Sequence, residues 1–143
     1  MAEKKHAVLM VDDSEDDRFF MRRMLKDSAH LRLAWEAADG EEALAYLKGT
    51  GEFSDRERHP FPSVVILDLK MAGKNGYDIL EWLRTQSFPD MICVVSSGSF
   101  LPDDISRCQA LGVDAYYRKT SLKEEQAEMM RKIENLLNAP SRR

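Results

Sequence analysis

Cysteine is scarce in this chain, and Cys93 and Cys108 are too few for a disulfide framework. Neither sits in a CxxC arrangement, so a reducing compartment, the cytoplasm, is expected. Long apolar runs are missing as well. No stretch approaches the ~20 residues that a bilayer-spanning helix needs, and no membrane role is expected. The N-terminal Met1-Ala2-Glu3-Lys4-Lys5-His6 leads into an apolar stretch that ends at Asp12, too short for the core of a signal peptide. An excess of basic charge is also absent. The formal net charge is −4, which argues against nucleic acid as the main partner, and the Arg142-Arg143 tail does not change that. Glycine-rich nucleotide motifs are not found, neither GxGxxG nor GxxxxGK[ST]. His6, His30 and His59 show no metal-ligand spacing and are expected at the surface.

What is present is an ordinary globular balance, 43% hydrophobic and 32% charged, over a length that suits one domain spanning 1–143 with its core at about 7–137. Ala7 to Val11 is a short continuous apolar run, the pattern of a strand buried on both faces of a parallel sheet. Ser14 opens a helix, with Asp17 as a capping-box partner and Phe20, Met21, Met24 and Leu25 as its apolar face. Leu31, Leu33 and Trp35 alternate as a second strand. After Asp39-Gly40 comes a helix with Ala43, Leu44 and Leu47 on one stripe, followed by a polar surface loop from Gly49 to Ser63.

Val64 to Leu67 is the next buried strand, and it ends at Asp68. A turn around Gly73 and Gly76 leads to a helix carrying Ile79, Leu80 and Leu83. Pro89 precedes the strand Met91 to Val95, which runs out into Ser96-Ser97-Gly98. Pro102 suits the first position of a helix that Gly112 stops. Val113 to Arg118 forms a last strand, closed by Lys119. Ser121 and Glu124 form a second capping-box pattern before a helix with Leu122, Met129, Ile133, Leu136 and Leu137 as its buried face.

Five repeats of strand then helix imply an α/β fold, a parallel sheet with helices on both faces. With right-handed crossovers, the flavodoxin-like doubly wound order 2-1-3-4-5 is the expected one. Ligands of such sheets bind beyond the carboxyl ends of the strands. There the predicted topology gathers Asp12 and Asp13 from strand one, Asp68 from strand three, Ser97 from strand four and Lys119 from strand five. Taken singly, Asp12-Asp13 reads as a helix cap, Ser97 as a turn donor and Lys119 as a solvated lysine. Their common edge argues otherwise. Clustered carboxylates repel, and a hard divalent cation such as Mg²⁺ relieves the repulsion. Lys119 supplies a point charge for a phosphate oxygen and Ser97 a hydroxyl donor. Aspartate can act as a nucleophile that forms an aspartyl phosphate.

Val11-Asp12-Asp13, Leu67-Asp68-Leu69-Lys70-Met71 with Gly76 following, Ser97-Gly98 and Tyr116-Tyr117-Arg118-Lys119 together resemble the signature of response-regulator receiver domains. The resemblance runs from about Ala7 to Leu137. It implies a two-component response regulator, chemotaxis-regulator-like and without an output domain. Such a protein takes a phosphoryl group from a histidine kinase or phosphotransfer protein and signals by protein contact. Asp68 would be the phosphoacceptor. Asp12, Asp13, Asp68 and the backbone carbonyl of Lys70 would hold Mg²⁺, and Lys119 would pair with the phosphoryl group. Ser97 and Tyr116 would move together as the switch, reshaping the face of helix four, strand five and helix five, where the family also suggests a homodimer. The long polar loop and the Gly73-Lys74-Asn75-Gly76 turn resemble stand-alone receivers that serve bacterial phytochromes.

The sequence departs from the family pattern at three places. Ala72 stands where proline is usual, Thr120 stands where proline usually follows the lysine, and Lys70 occupies a position that influences phosphate lifetime. Two other readings compete. A haloacid-dehalogenase-like phosphatase needs a second aspartate two residues after the nucleophile, where this chain has Lys70. A pseudo-receiver would keep the fold without phosphorylation, against which the full set Asp12, Asp13, Asp68, Ser97 and Lys119 speaks.

Overall fold

The computed structural model describes residues 5–71, 75–88 and 90–139. Ala72, Gly73, Lys74, Pro89 and the Arg142-Arg143 tail, on which expectations above bear, lie outside the described residues.

The strands are β1 (His6–Val11), β2 (Leu31–Ala37), β3 (Val64–Leu67), β4 (Ile92–Ser97) and β5 (Ala115–Arg118). The helices are α1 (Glu15–Lys26), α2 (Gly40–Lys48), α3 (Gly76–Arg84), α4 (Pro102–Ala110) and α5 (Lys123–Asn138). The five strands form one sheet in the expected order β2-β1-β3-β4-β5, every pair parallel. No helix among the described residues is long and apolar enough to cross a membrane.

Alternation along the central strands divides the core into two layers. Leu9 and Val11 of β1 face one layer, with Tyr46 and Leu47 of α2, Ile79 and Leu80 of α3 and Cys108 of α4. Val8 and Met10 face the other, with Met21 and Leu25 of α1 and Met129 and Ile133 of α5. Both sides of β1 and β3 are covered, which is why their sequences read as unbroken apolar runs.

Local chemistry sets the helix starts, though not always as the sequence suggested. Ser14 caps α1 by accepting from the Asp17 N–H. The Asp17 carboxylate does not complete the box, because it bonds Lys119 instead. Ahead of α5 the expected Ser121–Glu124 box is replaced by Thr120. Its hydroxyl accepts from the Leu122 N–H at 3.0 Å and donates to Glu125 at 3.0 Å, and Leu122 is left before the helix, 61% exposed. The full capping box belongs to α3, where Asn75 and Asp78 bond each other's backbone.

The 49–63 loop is not merely a surface segment. Its short 3-10 turn, Gly51–Phe53, drives Phe53 into the core against Trp35 and Tyr46. His59, expected at the surface, is half-buried with its ring 5.3 Å from Phe53 and 5.4 Å from Trp35. The Tyr46 hydroxyl donates to the Pro60 carbonyl at 2.8 Å, and Arg56 donates to the Leu47 carbonyl at 2.9 Å. The aromatic side chains bury apolar surface that a polar composition concealed. Phe20 errs in the opposite direction. Expected on the buried face of α1, it is 55% exposed, whereas Met21 and Leu25, with Met24 partly buried beside them, pack into the core.

Candidate functional site

The ladder of the sheet continues one residue past the strand ends and fixes the site at the backbone level. The Asp12 N–H donates to Ala37, the Asp68 N–H to Val11 and the Lys119 N–H to Ser97, at 2.8–3.0 Å. Three charged residues far apart in the chain thereby start from neighbouring positions on one edge. Gly76 brings α3 against the same edge. A Cβ there would meet the Asp68 carbonyl at 2.5 Å and the Leu69 Cα at 2.8 Å, so only glycine allows this approach.

Carboxylate oxygens of Asp12, Asp13 and Asp68 lie within 4.8 Å of one another, Asp12 and Asp68 buried and Asp13 exposed. The Lys119 ammonium sits among them, 2.9 Å from Asp12, 3.0 Å from Asp68 and 2.6 Å from Asp17. Burial pushes Asp12 above the ordinary carboxylate range, despite the Ser14 N–H and Lys119, which favour its charged form. Burial also pulls Lys119 down, but its hydrogen bonds to Asp17, Asp12 and Asp68 outweigh that and hold it above the usual lysine value. One ammonium against four carboxylates leaves negative charge uncompensated. The donor set is all oxygen, partly buried and anionic, which fits a hard divalent cation.

Ser97 is fully buried at the end of β4, its Oγ accepting the Ser99 N–H at 3.2 Å. Tyr116 on β5 donates its hydroxyl to the Ser99 carbonyl at 2.7 Å, and burial raises its pKa. Lys70 lies two residues past Asp68, its N–H 3.4 Å from Asp68 Oδ1. All seven residues expected at the site thus lie at this edge or the loops beside it.

Further residues join the site that sequence motifs do not mark. Asp17 matches a capping pattern in the sequence, yet it lies in the first turn of α1 against the Lys119 ammonium at the strand ends. Beyond β4, Asp104 accepts from the Ser99 hydroxyl at 2.6 Å and from the Tyr77 hydroxyl, with the Lys70 ammonium 3.6 Å away. The Ser99 and Tyr77 bonds hold Asp104 below the usual carboxylate range, whereas burial and the same bond raise Tyr77. No local pattern marks this cluster, because its members come from α3, α4 and the loops that follow β3 and β4. A cleft of about 450 Å³ opens from the acidic site between α1 and α5, lined by Phe20, Met24, Tyr117 and Met129.

The chain is 29% identical over 131 residues to Response regulator Rcp1 of Synechocystis sp., covering 90% of this chain and 86% of that protein. It is 30% identical over 129 residues to Two-component response regulator ORR4 of Oryza sativa subsp. indica, covering 82% of this chain and 55% of that relative, so it spans about half of the plant protein. Among solved structures, the phosphorylated cyanobacterial phytochrome response regulator RcpA superposes with a TM-score of 0.82 at 25% identity, covering 98% of this chain and 100% of that one. The Mn²⁺-bound form of Rcp1 gives 0.76 at 28% identity, with 96% and 99% covered. The bacteriophytochrome response regulator AtBRR gives 0.77 at 25% identity, with 99% and 100% covered. With the family model described as response regulator receiver domain matching residues 8–134, the chain belongs to the response-regulator receiver family.

Proposed function

We propose that this chain acts as a single receiver domain that accepts a phosphoryl group on Asp68 with the help of Mg²⁺ and passes the signal by protein contact. The observation that carries this reading is the position of Asp68, buried beside Lys119 at 3.0 Å and within 4.8 Å of the Asp12 and Asp13 carboxylates. An Asp68 oxygen attacks the phosphorus of a kinase phosphohistidine. The new P–O bond forms as the P–N bond breaks, and the imidazole leaves with the electron pair. Lys119, already aimed at Asp68, steadies the transferred oxygens. Asp12, Asp13, Asp68 and the Lys70 carbonyl would hold Mg²⁺, which when bound shields the charge that carboxylate and phosphate bring together. Water later hydrolyses the acyl phosphate. The domain in this way assists its own phosphorylation and dephosphorylation without being an enzyme on an external substrate.

Ser97 and Tyr116 serve as the switch that reads the phosphoryl group. The donor is a histidine kinase, and the likeness to phytochrome response regulators makes a phytochrome-type kinase the first to test. Phe100, 51% exposed, and Leu101, 63% exposed, leave apolar surface at the α4 end for a downstream protein or a second copy of the chain. Sedimentation that is unchanged with concentration and with a phosphoryl mimic would exclude the homodimer. A cytoplasmic location follows from the kinase as donor.

Intact mass after incubation with Mg²⁺ and a small-molecule phosphodonor, on wild type and Asp68→Asn, tests the central reading. A single phosphoryl adduct that needs Mg²⁺ and is lost in the variant is expected. Absence of an adduct on folded wild type, with a donor proven on another receiver, would favour a phosphorylation-independent pseudo-receiver.

A further inference from the structure

Ser97 and Tyr116 both meet at Ser99. The Ser99 N–H is bonded to Ser97 Oγ at 3.2 Å, and the Ser99 carbonyl accepts the Tyr116 hydroxyl at 2.7 Å. Ser99 in turn is held from outside the site. Its hydroxyl donates to Asp104 Oδ2 at 2.6 Å, from the loop after β4 to the first turn of α4. The other Asp104 oxygen takes the hydroxyl of Tyr77 on α3, which Arg107 covers at 3.9 Å from the ring centroid, and the Lys70 ammonium lies 3.6 Å from the same oxygen. One carboxylate therefore fastens the β4–α4 loop to α3.

We propose that Asp104 is a positioning residue, a latch whose bond to Ser99 keeps Ser97 and Tyr116 in their resting arrangement and so sets how readily the site closes on a phosphoryl group. The proposal rests on the phosphoacceptor reading of Asp68 and deepens it. As Ser97 turns its hydroxyl toward a phosphoryl oxygen, the Ser99 N–H that it accepts must follow or release it, and that amide travels with a hydroxyl tied to a carboxylate. Bonds to an ionised acceptor are about twice as strong as neutral ones, so the latch weights the resting state. A phosphoryl group shifts the equilibrium only by its differential affinity for the two arrangements, and a lighter resting state leaves more of that affinity to be measured. Asp103 and Asp104 both lie in the first turn of α4, where an acid favours the helix dipole in any case. A role confined to the dipole would leave affinity for a phosphoryl mimic unaltered.

Calorimetric titration of the full chain with beryllium fluoride in Mg²⁺, as the phosphoryl mimic, tests the latch. Asp104→Asn is expected to bind the mimic about fivefold tighter or more, with affinity for Mg²⁺ alone unchanged. Ser99→Ala, which removes the same bond from the other end, is expected to do likewise. The double variant should bind no tighter than either single one, because one interaction is lost only once. Amide hydrogen exchange at Ser99 and Phe100 in metal-free protein should quicken in both variants. Unchanged or weaker mimic affinity in the folded variants, or additive gains in the double variant, would overturn the proposal. Failure of wild type to bind the mimic would strike the phosphoacceptor reading itself. Hydrogen exchange would still decide the latch as a mechanical element, supporting it if exchange quickens and overturning it if exchange is unaltered.

Discussion

Lys119 donates to Asp68 Oδ2 at 3.0 Å across 51 residues of chain, from the end of β5 to the end of β3. Both residues are placed by backbone bonds to the strand next door, so the pair belongs to the sheet and not to a flexible loop. Thr120, which stands where the family usually has proline, ties the turn after Lys119 to α5 through Glu125 and Gln126, and its hydroxyl accepts the Leu122 N–H.

Removing the ammonium should expose its compensating role. Lys119→Met leaves Asp12 and Asp68 buried without their cation, and metal-free protein should lose roughly 1–3 kcal/mol of stability. Urea denaturation in chelator and then in excess Mg²⁺ measures this. Much of the loss should return with the ion, and a loss indifferent to divalent cations would contradict the shared-charge account.

Asp12 leads to a prediction of opposite sign. Its folded-state pKa lies above the ordinary value of 3.8, chiefly through burial. A raised pKa means that the folded state holds the proton more tightly than the unfolded one. The stabilising contribution is therefore present below pH 3.8 and lost as pH rises through the raised value. At neutral pH the ionised group works against the metal-free fold. Asp12→Asn should thus unfold at equal or higher temperature than wild type in chelator at pH 7, and should gain less than wild type from added Mg²⁺. A lower melting temperature in chelator would sink the idea.

At Gly76 the issue is space. Gly76→Ala puts a methyl group 2.5 Å from the Asp68 carbonyl and 2.7 Å from Leu67 Cδ1. Relief requires α3 or the Asp68 loop to move, at a cost of about 1–3 kcal/mol. Denaturation together with the phosphodonor assay should show lower stability and slower adduct formation. Wild-type values in both would mean that the approach is looser than the geometry indicates.

The cysteines should be silent. Burial pushes the Cys93 thiol up to about 12, and Cys108 is raised by burial as well. A thiol reagent at pH 8 should modify neither in native protein and both in urea. Rapid native labelling of Cys93 would show that β4 opens far more readily than its packing suggests.

Much of this was legible in the sequence for a specific reason. Val8 to Val11 and Val64 to Leu67 are apolar at every position because both sheet faces are covered, and such runs announce a parallel centre. Once the order is set, polar residues at strand ends must converge, which is how Asp12, Asp13, Asp68, Ser97 and Lys119 could be grouped. What escaped depends on contacts between distant segments. Helical spacing marked Phe20 as apolar but could not say that more than half of it stays exposed. The polar letters around Phe53 and His59 hid an aromatic cluster closed by Trp35 of β2 and Tyr46 of α2. Ser121 and Glu124 matched a capping pattern, but Thr120 was one residue nearer to the strand and took the bond.

The division of the core has a practical outcome for spectroscopy. Trp35 and Trp82, the two tryptophans of the chain, both pack on the layer built by α2, α3 and α4, whereas α1 and α5 meet the sheet through methionine, leucine and isoleucine. Indole emission is therefore a one-sided witness. If the α1 and α5 layer loosened first, the fluorescence would stay native while the helical circular dichroism declined, and agreement between the two signals becomes a direct measure of whether the sheet binds both layers into one cooperative unit.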